Sequence, residues 1–209
     1  MSGDQDNEFR SELEASIVGF ELEPLSEQQA TKLVDHYAML RRWNQRINLT
    51  RIIRPADAAT LHYAESLLGA RFIVEATVLD IGSGAGFPAV PIAVARPDVQ
   101  VTAVEADQKK ALFLKEVKEQ LRLANFNVVN ARLEEFEWAT YQLLTSRALE
   151  RAEAVFPSVI ERMSLKQRLM LYCAPDLVAR LEGKLNVKCD VETHLMPLSR
   201  GRIVAIFRR

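Results

Sequence analysis

Val78-Leu-Asp-Ile-Gly-Ser-Gly-Ala-Gly-Phe-Pro-Ala-Val-Pro91 is the stretch whose reading decides the fold. Apolar, β-prone residues run into three closely spaced glycines, the pattern of a strand, a tight loop and a helix. Without Cβ, Gly82, Gly84 and Gly86 can take positive φ and let a ligand touch the backbone. A helix beginning near Phe87 or Pro88 aims free N–H groups into the same gap. A polar or anionic ligand is expected there, the alternative being a tight turn that holds nothing.

The spacing narrows the choice. A dinucleotide fingerprint needs G-x-G-x-x-G, whereas these glycines run G-x-G-x-G and Phe87 takes the last fingerprint place, which counts against NAD. Asp80 before the loop, and Glu105 at the end of the next strand-like run (99–104), resemble instead the first two motifs of the class I S-adenosylmethionine-dependent methyltransferases. The resemblance implies that the loop holds the methionine part of the cofactor and the second carboxylate takes the ribose hydroxyls.

Outward from this point, strands and helices alternate: strand 77–81, helix to about 96, strand 99–105, helix 108–123, strand 126–130, strand 141–146, helix 150–163, strand 168–173 and helix 175–185. Such alternation predicts right-handed βαβ units and a parallel sheet. Two last runs, 188–195 and 202–208, read as an antiparallel closing pair, giving seven strands in all. Upstream, residues 8–18 place Phe9, Leu13 and Ile17 at helical spacing, with residues 1–7 expected to fray. Ser26 and Gln29 form a capping-box start for a longer helix, and 60–68 is a further amphipathic helix. The expected division is an N-terminal helical extension over 1–70 and a cofactor-binding domain over 71–209.

The 209 residues are 48% apolar and 26% charged, an ordinary globular composition. The longest apolar run, 87–95, carries two prolines and falls short of the roughly 20 residues a membrane span needs. Cys173 and Cys189 read as small buried residues in strands, and His36, His62 and His194 lack metal-ligand spacing. Net charge is −1, yet the first 30 residues hold eight acids and one base, so the remainder is positive by about six. A local basic face is what a polyanion feels, so RNA stays open as a partner. Five arginines (Arg41, Arg42, Arg46, Arg51, Arg54) surround Trp43 without an intervening acid. They fit either a nucleic-acid contact or a solvated helix end. Lys109 and Lys110, on the helix after Glu105, offer the same two readings.

Beyond the glycine loop, Trp43-Asn44, Asn48-Leu49-Thr50, Pro91, Lys109, Phe113-Leu114, Arg132, Glu134-Glu135-Phe136 and Ser146-Arg147-Ala148 follow in order. Together they resemble the bacterial small-subunit (16S) ribosomal RNA guanine-N7 methyltransferases, also called glucose-inhibited division protein B, from about Leu22 to the C-terminus. The resemblance implies a class I, Rossmann-like α/β fold with a seven-stranded, mostly parallel sheet, an antiparallel last strand and an N-terminal helical extension. It implies methyl transfer from S-adenosylmethionine to N7 of a guanine in 16S ribosomal RNA, the alternatives being another substrate or a non-catalytic RNA- or ribosome-binding module. The implied cofactor site comprises Asp80, Gly82, Gly84, Phe87, Glu105, Leu133, Glu134 and Arg147. Arg147 is also the candidate for aligning the reaction, although a strand-end arginine can simply pair with Glu134 or Glu150. Arg41, Arg42, Arg46, Arg51, Lys109 and Lys110 are the RNA-binding candidates. A cytoplasmic monomer acting on small-subunit ribosomal RNA or a ribosomal particle is expected, without membrane or metal. The chain departs from the family at Leu61, Glu65, Ala89, Gln142 and Cys173-Ala174, the last where Lys-Gly is frequent.

Overall fold

A computed structural model describes residues 2–147, 151–199 and 201–209. The expected helix start at Glu150 and Ala148 of the Ser-Arg-Ala motif lie outside the described residues. Seven strands form one sheet: β1 (Thr77–Ile81), β2 (Gln100–Glu105), β3 (Phe126–Asn130), β4 (Leu143–Arg147), β5 (Arg168–Cys173), β6 (Asp190–Leu195) and β7 (Ile203–Arg208). Their order is β3-β2-β1-β4-β5-β7-β6. The first five are parallel, and β7 runs antiparallel between β5 and β6. The chain leaves β1 toward one edge and returns through β4 to the other, so the β1/β4 boundary is where loops part and a ligand crevice opens. β1, β4 and β5 are buried along nearly their whole length, which is why they read as continuous apolar runs.

The helices are α1 (Ser2–Gly19), α2 (Glu27–Asn44), α3 (Pro55–Ala58), α4 (Glu65–Ala70), α5 (Ala89–Ala95), α6 (Gln108–Gln120), α7 (Ala152–Arg162) and α8 (Pro175–Glu182). A π-helical stretch, Ala59–Ala64, joins α3 to α4. The Ser26–Gln29 box caps α2 in both directions, and the Asp107 carboxylate caps α6 by accepting the Lys109 and Lys110 amides at 2.8 and 3.1 Å. One core lies under α1, α2, α5 and α6. A second, around Trp138, Phe156 and Phe207, lies on the face covered by α7 and α8.

The N-terminal helices share the first core with β1 and β2. Phe9 is fully buried and stacks on Tyr37 at 4.2 Å, with Tyr63 edge-on at 4.8 Å. This anchor extends α1 back to Ser2, where the sequence predicts fraying. Asp6 and Gln5, in the extra turn, accept from the Arg41 guanidinium. Phe9→Ala is expected to cost about 3–5 kcal/mol through lost burial and a residual cavity. Urea unfolding would show this as a lower midpoint.

Candidate functional site

Gly82, Gly84 and Gly86 all adopt positive φ, at 70°, 53° and 89°. Gly86 also has no room for a side chain, since a Cβ there would meet the Val90 side chain at 2.8 Å and His36 Nε2 at 3.3 Å. The loop is pinned across the β1–β2 gap by Glu105. One carboxylate oxygen accepts the Gly84 N–H and the other accepts the Asp107 N–H, both at 2.8 Å. A carboxylate offers about four lone pairs, so capacity remains for hydroxyl groups. The Ala131 N–H reaches the Glu105 carbonyl, which brings the Leu133–Glu135 turn alongside, with Leu133 half-buried and Glu134 exposed.

Asp80 lies beneath the loop with no exposed surface. Neither carboxylate oxygen completes a well-formed hydrogen bond among the described residues. Burial pushes its pKa up to about 8, and the nearby Ser83 hydroxyl, Ala89 amide and Arg147 guanidinium only partly oppose that rise. Phe87 turns inward: its ring stacks on His62 at 4.4 Å and meets Tyr63 edge-on at 5.0 Å, leaving 6% exposed. Phe87 therefore supports the loop from below.

Arg147 is also buried, and its partners come from the π-helical stretch. The Glu65 N–H bonds to the Thr60 carbonyl, five residues back. In an α-helix that N–H would take the Leu61 carbonyl; here Leu61 O is released and accepts from Arg147, as does His62 O at 3.3 Å. The Glu65 carboxylate lies 3.2 Å from Arg147 and 2.9 Å from Arg202. Arg147 thus pairs with Glu65, far away in sequence, while Glu150 lies outside the described residues. His62 is held neutral, foremost by burial and then by Arg147, and its Nε2 meets Thr50 Oγ1 at 2.9 Å. Thr50 closes a loop built on Asn44, whose side chain bonds the Thr50 carbonyl and the Leu49 and Thr50 amides. The Asn44 to Thr50 motif is thus a loop staple reaching the residue that stacks on Phe87.

The basic candidates divide. Arg41 pairs with Asp6, and Arg42 with Glu116, which also accepts the Trp43 indole N–H at 3.1 Å. Arg41 and Arg42 border a cavity of about 540 Å³ at the C-terminal ends of α2 and α6. It lies away from the N-terminus of α6 by that helix's 13 residues, roughly 20 Å. Arg46, Arg51 and Lys109 are exposed and Lys110 partly so, with the two lysines on the first turn of α6 beside Glu105. Glu65, His62, Thr50, Tyr172 and Arg202 are absent from the sequence-derived site. A carboxylate within the apolar run Ala-Glu-Ser-Leu-Leu-Gly-Ala is the signal that marks Glu65. Among the described residues no group of His, Cys, Asp and Glu could hold a metal ion, and no helix is long and apolar enough to cross a membrane.

The Asp80 environment predicts a pH signature. The unfolded carboxyl ionises near 3.8 and the folded one near 8. Between these values the folded state binds more protons, so this group's contribution to stability falls as pH rises and levels off above 8. His36, lowered to about 3 by burial, acts oppositely below its ordinary value of 6.5. The test is therefore a difference: the stability of Asp80→Asn relative to wild type should increase from pH 4 to 8 in urea titrations, then stay constant.

Comparison with known proteins agrees with this geometry. The sequence profile of the family described as rRNA small subunit methyltransferase G (GidB) matches residues 29–185. A ribosomal RNA small subunit methyltransferase G of Methylobacillus flagellatus is 38% identical over 141 residues, 67% of this chain and 68% of that protein. One from Xanthomonas campestris pv. campestris (strain B100) is 40% identical over 133 residues, 63% of each. The matched stretch thus spans about two thirds of these relatives. Among solved structures, the ribosomal protein L11 methylase of Lactobacillus delbrueckii subsp. bulgaricus superposes with a TM-score of 0.57 at 16% identity, covering 72% of this chain and 79% of that one, a likeness of fold alone. With a class I methyltransferase sheet, a pinned glycine loop and a profile match over most of its length, this chain belongs to the rRNA small subunit methyltransferase G family.

Proposed function

We propose that the protein transfers a methyl group from S-adenosylmethionine to N7 of a guanine in 16S ribosomal RNA. Besides family membership, the observation that carries the reading is the Glu105 carboxylate bonded to Gly84 N–H at the carboxyl ends of β1 and β2. That arrangement presents acceptors for ribose hydroxyls beside backbone donors for a carboxylate. The residues fit the cofactor, whose sulfonium supplies an electrophilic methyl when bound. Glu105 and the glycine loop would hold and orient it, with the turn at Leu133 and Glu134 alongside Glu105. Arg147 and Glu65 fix the end of β4, and Phe87 packed on His62 fixes the loop.

Guanine N7 carries a lone pair and no proton, so alignment rather than proton removal is the protein's task. The surroundings of the loop suit that economy: His36 and His62 are buried, neutral and engaged with Tyr63 and Thr50. Exposed Arg46, Arg51, Lys109 and Lys110 are the groups proposed to meet RNA phosphates, whereas Arg41 and Arg42 are already paired within the fold.

Small-subunit RNA from cells lacking the gene, incubated with the protein and S-adenosylmethionine, should gain a methyl group at one guanine, revealed by strand scission after borohydride and aniline. Single-turnover rates should be flat across neutral pH, since no proton leaves the nucleophile. Methyl on an exocyclic nitrogen would overturn the acceptor assignment, and cofactor binding with no RNA methylated would favour another substrate or a binding module. Glu105→Gln should weaken cofactor binding about 10- to 100-fold by calorimetry, the range for a hydrogen bond to a charged group. Neutralising Lys109 or Arg51 should flatten the salt dependence of RNA affinity by about 0.7 per lost phosphate contact.

A further inference from the structure

A second cavity, of about 240 Å³, opens at the carboxyl ends of β4 and β5 and is lined by Phe156, Leu171, Leu177, Ser146, Cys173 and Arg202, among others. It adjoins the glycine loop: the Ser146 hydroxyl donates to the carbonyl of Ile81, the residue before Gly82, at 2.7 Å. Its volume lies below the roughly 300 Å³ at which drug-sized sites begin, which suits a single planar base. The apolar walls match the surroundings an extruded base needs.

Arg202 borders this space from the start of β7. Its guanidinium is anchored by Glu65 at 2.9 Å and by the Tyr172 carbonyl at 3.4 Å, with the side chain 27% exposed. Five N–H donors exceed those two partners among the described residues. Arg180, the other cation at the cavity, is tied to Glu153 and Asp176 on the surface. The charge balance points the same way. Among the described residues two guanidiniums, Arg147 and Arg202, face one carboxylate, Glu65, while burial pushes the Asp80 pKa up to about 8. Among these groups the guanidiniums outnumber the carboxylates paired with them, and Arg202 is the member that solvent reaches. An anion at that point completes the balance, and guanidinium matches phosphate with paired donors.

We propose that Arg202 is a substrate-binding residue that grips the phosphodiester flanking the acceptor nucleotide, so that its base enters the cavity beside the glycine loop. This rests on the reading of the protein as an RNA methyltransferase. Phosphate contacts position without reading sequence, so Arg202 sets the register in which the base reaches the methyl donor.

The test uses the full-length protein, RNA containing the mapped target guanine, and the same RNA with a neutral methylphosphonate at either phosphate flanking it. Arg202→Gln should lower kcat/KM on natural RNA about 10- to 100-fold. Cofactor affinity by calorimetry should be unchanged, and the salt slope should flatten by about 0.7. Relative to natural RNA, wild type should lose as much on one of the two methylphosphonate RNAs, and Arg202→Gln should lose nothing further on that RNA. Arg202→Lys should recover part of the activity. Losses that multiply at both phosphates, or an unchanged Arg202→Gln enzyme, would overturn the proposal. Weakened cofactor binding by Arg202→Gln with RNA affinity intact would assign the residue to the cofactor's carboxylate. If Arg202→Gln fails to fold, the Arg202→Lys enzyme with the methylphosphonate pair carries the same comparison. Wild type that methylates neither RNA would instead refute the underlying function.

Discussion

The Glu65 carboxylate, with no solvent exposure and a guanidinium on either side, is the constraint on which the carboxyl edge of the sheet depends. It joins three segments remote in sequence: α4, the end of β4 through Arg147, and the start of β7 through Arg202. Burying the Glu65 and Arg147 charges costs several kcal/mol per ion before attraction offsets it, so the cluster is a poor source of net stability. What it supplies is orientation. An aliphatic contact at the same place would let the helix slide, whereas two guanidiniums on one carboxylate tolerate one arrangement. The π-helical turn belongs to this arrangement, because it releases the Leu61 carbonyl to Arg147 and sets His62 flat against Phe87.

The glycine loop is held from above by Glu105 and from below by aromatic packing. Glu105 ties Gly84 to the start of the β2–α6 loop. Phe87 wedges between His62 and Tyr63, and Gly86 lies so close to His36 and Val90 that no side chain fits there. The backbone amides are therefore pre-aimed, which spares a ligand the entropy of ordering them. A path of direct contacts runs outward from the loop: Phe87 on His62, His62 on Thr50, Thr50 on Asn44. The exposed arginines 46 and 51 sit on the loop that this path supports, so the basic surface and the glycine loop share one scaffold.

Much of the fold was legible in the sequence, since it rests on local signals. Alternating apolar runs and helical periods gave the seven strands, a parallel sheet and the antiparallel closing pair. The Ser26–Gln29 box marked the start of α2, and the three glycines with Glu105 marked where a ligand approaches. The family resemblance rested on the same residues. Residues 1–7 read as frayed because their composition is polar. They are helical from Ser2 onward because Asp6 and Gln5 meet Arg41 and because Phe9 buries its ring against Tyr37 and Tyr63, contacts no local pattern can encode.

The sequence by itself determined which residues could form each element and where the tight glycine loop would fall, because hydrophobic period and glycine spacing are properties of neighbours along the chain. Only the tertiary structure decided which charges are available. Arg41, Arg42 and Trp43 look alike with Arg46 and Arg51 in the sequence, yet the first three end on Asp6 and Glu116 while the last two reach solvent. Arg147 and Arg202 are both strand-end arginines, yet one is sealed in and the other opens onto a cavity. An ion pair is set by distance in space, and the distance between Glu65 and residues 147 and 202 exists only once the sheet has brought β4 and β7 to the same edge.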